Sequence, residues 1–204
     1  MKLILYPILI IGIIVYGGQM IDLVDRVRFL NGEMLWLSAG VIISLILCLM
    51  THRSKSGVTF WHELTHMFWA KLFKGKMVSM YISPKGGYVH HRGALGAGQT
   101  LIALAPYFFP LVTVGLLLIR AIVKPGYTPY FSAAIGFSLA GFYYDMIKSI
   151  MIPQSDIKGQ GVLYSTIVIV FFNILFLGII IASVSHDVTV MQFLKAERLF
   201  ALIK

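Results

Sequence analysis

The sequence predicts an all-α polytopic membrane protein with about five to six transmembrane segments, organised as one integral domain over residues 1–204. Three observations carry that expectation. The chain is 58% hydrophobic and only 12% charged, with a mean hydropathy of +0.86, far from the balance of a soluble globular domain. Several uncharged runs approach the roughly 20 residues that a helix needs to cross the hydrocarbon core. No internal repeat, low-complexity tract or long linker divides the chain.

The runs follow one another in order. The first covers 3 to about 21, the second 34–50, the third about 97 to 119, the fourth 126–144 and the fifth 159–185. A sixth, 57–70, is short and carries one acid, Glu63. Met1-Lys2 before an apolar run also opens secretory signals, but no small-x-small cleavage site follows, so the first run reads as a retained helix. The connection 22–33 is short and polar, and 74–92 is the longest stretch that is neither clearly helical nor uniformly apolar. At the end, 186–204 mixes Val190, Met191, Phe193, Leu194, Leu199 and Phe200 with Lys195, Glu197, Arg198 and Lys204, a pattern expected of an interfacial C-terminal helix.

Net charge is +9, from 17 Lys and Arg against 8 Asp and Glu. In a soluble chain this would suggest nucleic acid. Here the basic residues gather in loops and at segment ends, where lipid headgroups are the expected partner and nucleic acid is not. If all six segments cross, the two sides hold 9 and 8 of the Lys and Arg residues, so charge asymmetry does not set an orientation. The single cysteine, Cys48, lies in an apolar run and reads as a packed thiol.

His62-Glu63-Leu64-Thr65-His66 is the strongest chemical signal. On a helix, imidazoles at i and i+4 project to one side and can grip one metal ion, zinc being the usual occupant. The adjacent Glu63 can take a proton from a water that the cation acidifies. With 6 His in the chain, chance supplies on the order of 0.003 such matches. Ionisable groups at a bilayer centre cost about 2.5–3.5 kcal/mol each on insertion scales, and metal binding would compensate for three of them within one turn. The plainer reading places these side chains in a polar surface region near Arg53 and Lys55, hydrogen-bonded but without an ion.

A catalytic zinc site needs a third protein ligand. Asp22, Asp25 and Glu33 belong to the first connection, and Asp187 and Glu197 to the tail, which leaves Asp156 and Asp145. Asp156, in Pro153-Gln154-Ser155-Asp156, is the first choice, although an acid there could also cap the fifth run. Asp145, three residues before Lys148, is better explained by ion pairing and ranks second. His52, His90 and His91 fit interfacial positions.

These residues resemble the site-2 protease family of intramembrane zinc metalloproteases. Phe60-Trp61-His62-Glu63-Leu64-Thr65-His66 followed by Ala70-Lys71-Leu72-Phe73 is similar to the family's motif helix. Ser83-Pro84-Lys85-Gly86-Gly87-Tyr88-Val89 is similar to its Gly-Gly-Tyr-Val stretch, which there belongs to a small membrane-associated β-hairpin. Pro153 to Asp156 resembles the end of the family's Asn-x-x-Pro-x-x-x-Leu-Asp-Gly pattern, but lacks its Leu, its Gly, its Asn and its spacing. Ala105-Pro106 is similar to a proline-containing helix that follows the hairpin. The resemblance covers about 57–160 and is strongest over 60–89, with no insertion that could hold a PDZ domain.

The resemblance implies a minimal multi-pass member in a prokaryotic cell membrane. It would bind one Zn2+ through His62, His66 and Asp156 and use Glu63 to activate water. It would cut transmembrane or membrane-bound peptides without a covalent intermediate. Gly86, Gly87, Tyr88 and Val89 would hold the substrate extended by adding it to a strand edge. The rival from another class is a non-proteolytic metal-binding scaffold or zinc transporter.

Overall fold

The computed structural model describes residues 2–30, 32–51, 54–83, 86–92 and 97–195. Nine helices and a hairpin follow in the order α1 (Lys2–Arg26), α2 (Gly32–Met50), α3 (Lys55–Leu72), β1 (Lys76–Ser83), β2 (Gly86–Arg92), α4 (Ala97–Leu104), α5 (Leu111–Arg120), α6 (Thr128–Ile150), α7 (Ser155–Gln160), α8 (Val162–Val184) and α9 (Val190–Leu194) among the described residues. The protein is thus mostly helical, with one two-stranded antiparallel sheet.

α1, α2 and α8 are long and apolar enough to cross a membrane, and the α4–α5 pair would make a fourth if counted as one broken span. α3 and α6 occupy two further expected runs but are not among these helices. α3 carries His62, Glu63 and His66, and α6 dilutes its apolar residues with Ser132, Ser138, Tyr143, Tyr144, Asp145 and Lys148. Ile8, Ile11 and Ile14 on α1 and Ile42, Ile43 and Ile46 on α2 are exposed, the outward apolar faces expected of helices set in lipid.

Two expected elements are corrected. The third run is not one helix: α4 and α5 meet at 87°. Pro106 and Pro110 cannot donate backbone hydrogen bonds, so the chain passes through a single 3-10 turn, Ala105–Tyr107, before restarting. The fifth run is also divided, because Gly161 adopts φ +93 between α7 and α8. Only glycine accepts that backbone cheaply. Asp156 consequently lies in the first turn of α7 and does not cap the long helix.

The expected interfacial helix over 186–204 is only partly described. Its described part is the five-residue α9, closed by a Thr189–Gln192 capping box. Phe193 is buried against the bundle, while Met191, Gln192 and Lys195 on the same turn stay exposed. Its ring packs on Tyr16 and occupies the space that a Cβ on Gly178 would need. Residues 196–204 lie outside the described residues.

Two close approaches set the helix packing. A Cβ on Gly40 would stand 2.0 Å from the Ala133 carbonyl oxygen, and one on Gly136 would stand 2.0 Å from that of Leu37. Small residues let α2 and α6 touch backbone to backbone, the usual route to tight helix pairs in lipid. Gly136→Ala is expected to force these helices apart and cost about 1–3 kcal/mol, since a carbonyl cannot rotate away as a side chain can. Denaturant unfolding of the detergent-solubilised protein would read this loss.

At the Gly32 end of α2, Glu33 gathers donors from two other helices. Arg120 of α5 pairs with its carboxylate. Ser132 of α6 donates at 2.7 Å, and Thr128 of α6 at 2.8 Å. Arg120 also donates to the Ser183 carbonyl of α8 at 3.0 Å. The opposite end of α2, at Cys48, opens onto the cavity described next.

Candidate metal centre

Helix α3 begins where Ser54 accepts a hydrogen bond from the Gly57 amide at 3.4 Å, a side-chain cap on an otherwise orphaned donor. Two and three turns on, the helical period brings His62 and His66 to one face, with ring centroids 4.9 Å apart. That face looks at α7, where Asp156 Oδ2 lies 3.5 Å from His62 Nε2 and 3.5 Å from His66 Nε2. One ligand atom from each of the three residues lies within 4.8 Å of the others, the single such grouping of three His, Cys, Asp or Glu among the described residues.

Neighbouring groups hydrogen-bond to these side chains. His66 Nδ1 is 2.7 Å from the Ile102 carbonyl oxygen. A carbonyl can only accept, so Nδ1 carries a proton, and Nε2 is the nitrogen that faces Asp156. Tyr107 donates its hydroxyl to Asp156 Oδ2 at 3.2 Å, and its ring sits edge-on to His62 at 5.3 Å.

α7 is pinned at both ends. Gln154 donates to the Ser149 carbonyl at 2.8 Å, Thr100 donates to the Gln160 side chain at 2.9 Å, and Ser165 donates to the Ile157 carbonyl at 3.0 Å. Burial pushes the Asp156 carboxyl up, but the facing His62 and His66 rings outweigh it and hold the group well below the usual carboxylate range. It is therefore anionic at neutral pH.

Glu63 is buried on the hairpin side of α3. β2 presses so closely there that a Cβ on Gly87 would fall 2.9 Å from Glu63 Cγ, 2.8 Å from Thr59 Cγ2 and 2.7 Å from the Tyr81 carbonyl oxygen. Glycine at 87 is what allows the strand to run beside the glutamate. The expected Gly86–Val89 strand is thus the first half of β2, with Tyr88 paired to Tyr81 and Val89 to Met80.

A cavity of about 1170 Å³ joins these parts: His62, Glu63, His66 and Asp156 share its wall with Gly87, Tyr88 and Val89. Asp145 lines this cavity too, but it is outside the three-residue cluster. A second cavity of about 580 Å³, walled chiefly by apolar residues such as Ile43, Phe109, Leu116 and Phe137, also reaches His62 and Asp145. His90 and His91 fall in β2, and His52 is outside the described residues.

Sequence reasoning missed Tyr107, the Ile102 carbonyl and the second cavity. Only the neighbouring Ala105-Pro106 gave a sign that this stretch matters, and nothing in the sequence couples it to a residue 49 positions away. Comparison with protein-family models, with curated proteins and with solved structures finds no match to this chain.

Proposed function

We propose that this chain is an intramembrane zinc metalloprotease of the site-2 protease type, hydrolysing transmembrane or membrane-bound peptides. The single observation that carries the reading is the convergence of His62, His66 and Asp156 in one cavity with Glu63 and a strand. The donor set fits zinc in kind, two neutral imidazoles and a carboxylate with room for a water. The two His–Asp edges fit in size as well: a tetrahedron with bonds of about 2.1 Å has edges of about 3.4 Å, against the 3.5 Å separations here.

Zinc held there would supply a Lewis acid and a water acidic enough to act near neutral pH. The chain's own groups do the rest. Glu63 takes a proton from the attacking water and returns it to the departing amine nitrogen, so no covalent bond to the protein forms. Gly87, Tyr88 and Val89 line the same cavity, where β2 can pair with an unwound substrate segment and expose its peptide bond. In this reading α3, α6 and the α4–α5 pair join α1, α2 and α8 in the bilayer, giving five to six membrane segments of a prokaryotic cell membrane. The hairpin rests on the membrane, and the basic loops meet lipid headgroups.

The test uses the purified full chain with a membrane-embedded model peptide. We expect about one zinc per chain, cleavage abolished by a chelator and restored by added zinc. A protein that holds zinc and leaves such peptides intact while carrying zinc across vesicles would overturn the protease reading in favour of a transporter.

A further inference from the structure

Asp156 rides on a helix of only six residues, Ser155–Gln160, so something outside that helix must fix its carboxylate. Tyr107 is placed to do so. Its hydroxyl reaches Asp156 Oδ2 at 3.2 Å, the same oxygen that faces both imidazoles. An ionised carboxylate only accepts, so the hydroxyl is the donor.

The tyrosine itself is locked. It is 0% exposed, sits in the 3-10 turn begun by Ala105-Pro106, and has its carbonyl held by the Asn173 side-chain amide at 2.9 Å. Its ring lies edge-on to His62. One rigid residue therefore touches two of the three candidate ligands, and the α4–α5 break is what turns it toward them.

We propose that Tyr107 is a positioning residue for the metal centre: its hydroxyl fixes Asp156 in the ligating orientation while its ring backs His62. The proposal rests on the metal-binding reading above. Partners that orient metal ligands typically change affinity by about 10–100-fold when removed. Tyr107→Phe keeps the ring against His62 and deletes only the hydroxyl, which makes it the clean variant.

The experiment is a zinc titration of the full-length protein against a competing chelator, followed by cleavage assays at limiting and saturating zinc. Tyr107→Phe is expected to bind zinc about 10–100-fold more weakly than wild type, and to recover the wild-type kcat once zinc saturates. On an Asp156→Ala background, adding Tyr107→Phe is expected to change zinc affinity no further, because the hydroxyl acts through that carboxylate. Unchanged affinity in Tyr107→Phe overturns the proposal. So does a rate loss that persists at saturating zinc, which would put the hydroxyl on the substrate, or an equal affinity loss on the Asp156→Ala background. Wild-type protein that binds no zinc removes the metal reading and this inference together. Zinc binding that is equally tight in wild type and in Tyr107→Phe removes this inference alone.

Discussion

Replacing Glu63 by glutamine is expected to abolish peptide cleavage while leaving the zinc content at the wild-type level. Glutamine matches glutamate in shape, so the packing of β2 against α3 at Gly87 survives. What disappears is the ability to accept a proton from water, and loss of a positioned general base typically costs about 10²–10⁴ in rate. His66→Ala should behave differently. It removes a ligand atom together with the bond to the Ile102 carbonyl, so both zinc and activity are lost. Zinc analysis and turnover of a membrane peptide, measured on the same preparations, separate the two outcomes. An active Glu63→Gln protein would sink the assigned chemistry, and one that had also lost its zinc would make Glu63 a ligand.

The second large effect lies at the other end of α2. Arg120→Ala is expected to destabilise the protein by about 3–5 kcal/mol, the range found when one partner of a buried ion pair is removed. Glu33 and Arg120 side chains are only 13% and 12% exposed, so the remaining carboxylate would keep its burial and lose its main counter-charge. Ser132 and Thr128 would still donate to it, which places the expected value toward the lower end. Glu33 and Cys48 stand near opposite ends of α2, so about 22 Å of helix separates this node from the cavity end. Zinc affinity of the folded fraction should therefore stay at the wild-type value. Replacing both partners at once, Glu33→Gln with Arg120→Met, is expected to recover much of the loss, since no charge is then left unpaired. Loss of zinc binding in folded Arg120→Ala protein would show that the two ends are coupled.

How much of this was legible differs from residue to residue. His62, Glu63 and His66 declare themselves because five consecutive positions contain the whole helix-face pattern. The hairpin followed from a resemblance over Gly86 to Val89, but its register came only with the structure. Asp156 could be narrowed to one of two acids, since so few acids fall near the membrane runs. Choosing between Asp156 and Asp145 needed the fold, as both line the same cavity and one alone meets the imidazoles. The role of Glu33 was not readable: beside a short polar connection it looked like an ordinary loop acid. Its partners lie 87 to 153 positions away.

Helix-forming runs, apolar composition and the spacing of two histidines are local properties, set by the 3.6-residue period and by the cost of polar groups in lipid. The sequence by itself determined those. The tertiary structure alone decided where α4 turns into α5, which carboxylate joins the histidines, and that Tyr107 holds it. Each of these depends on distances between segments remote in the chain, and only packing fixes such distances.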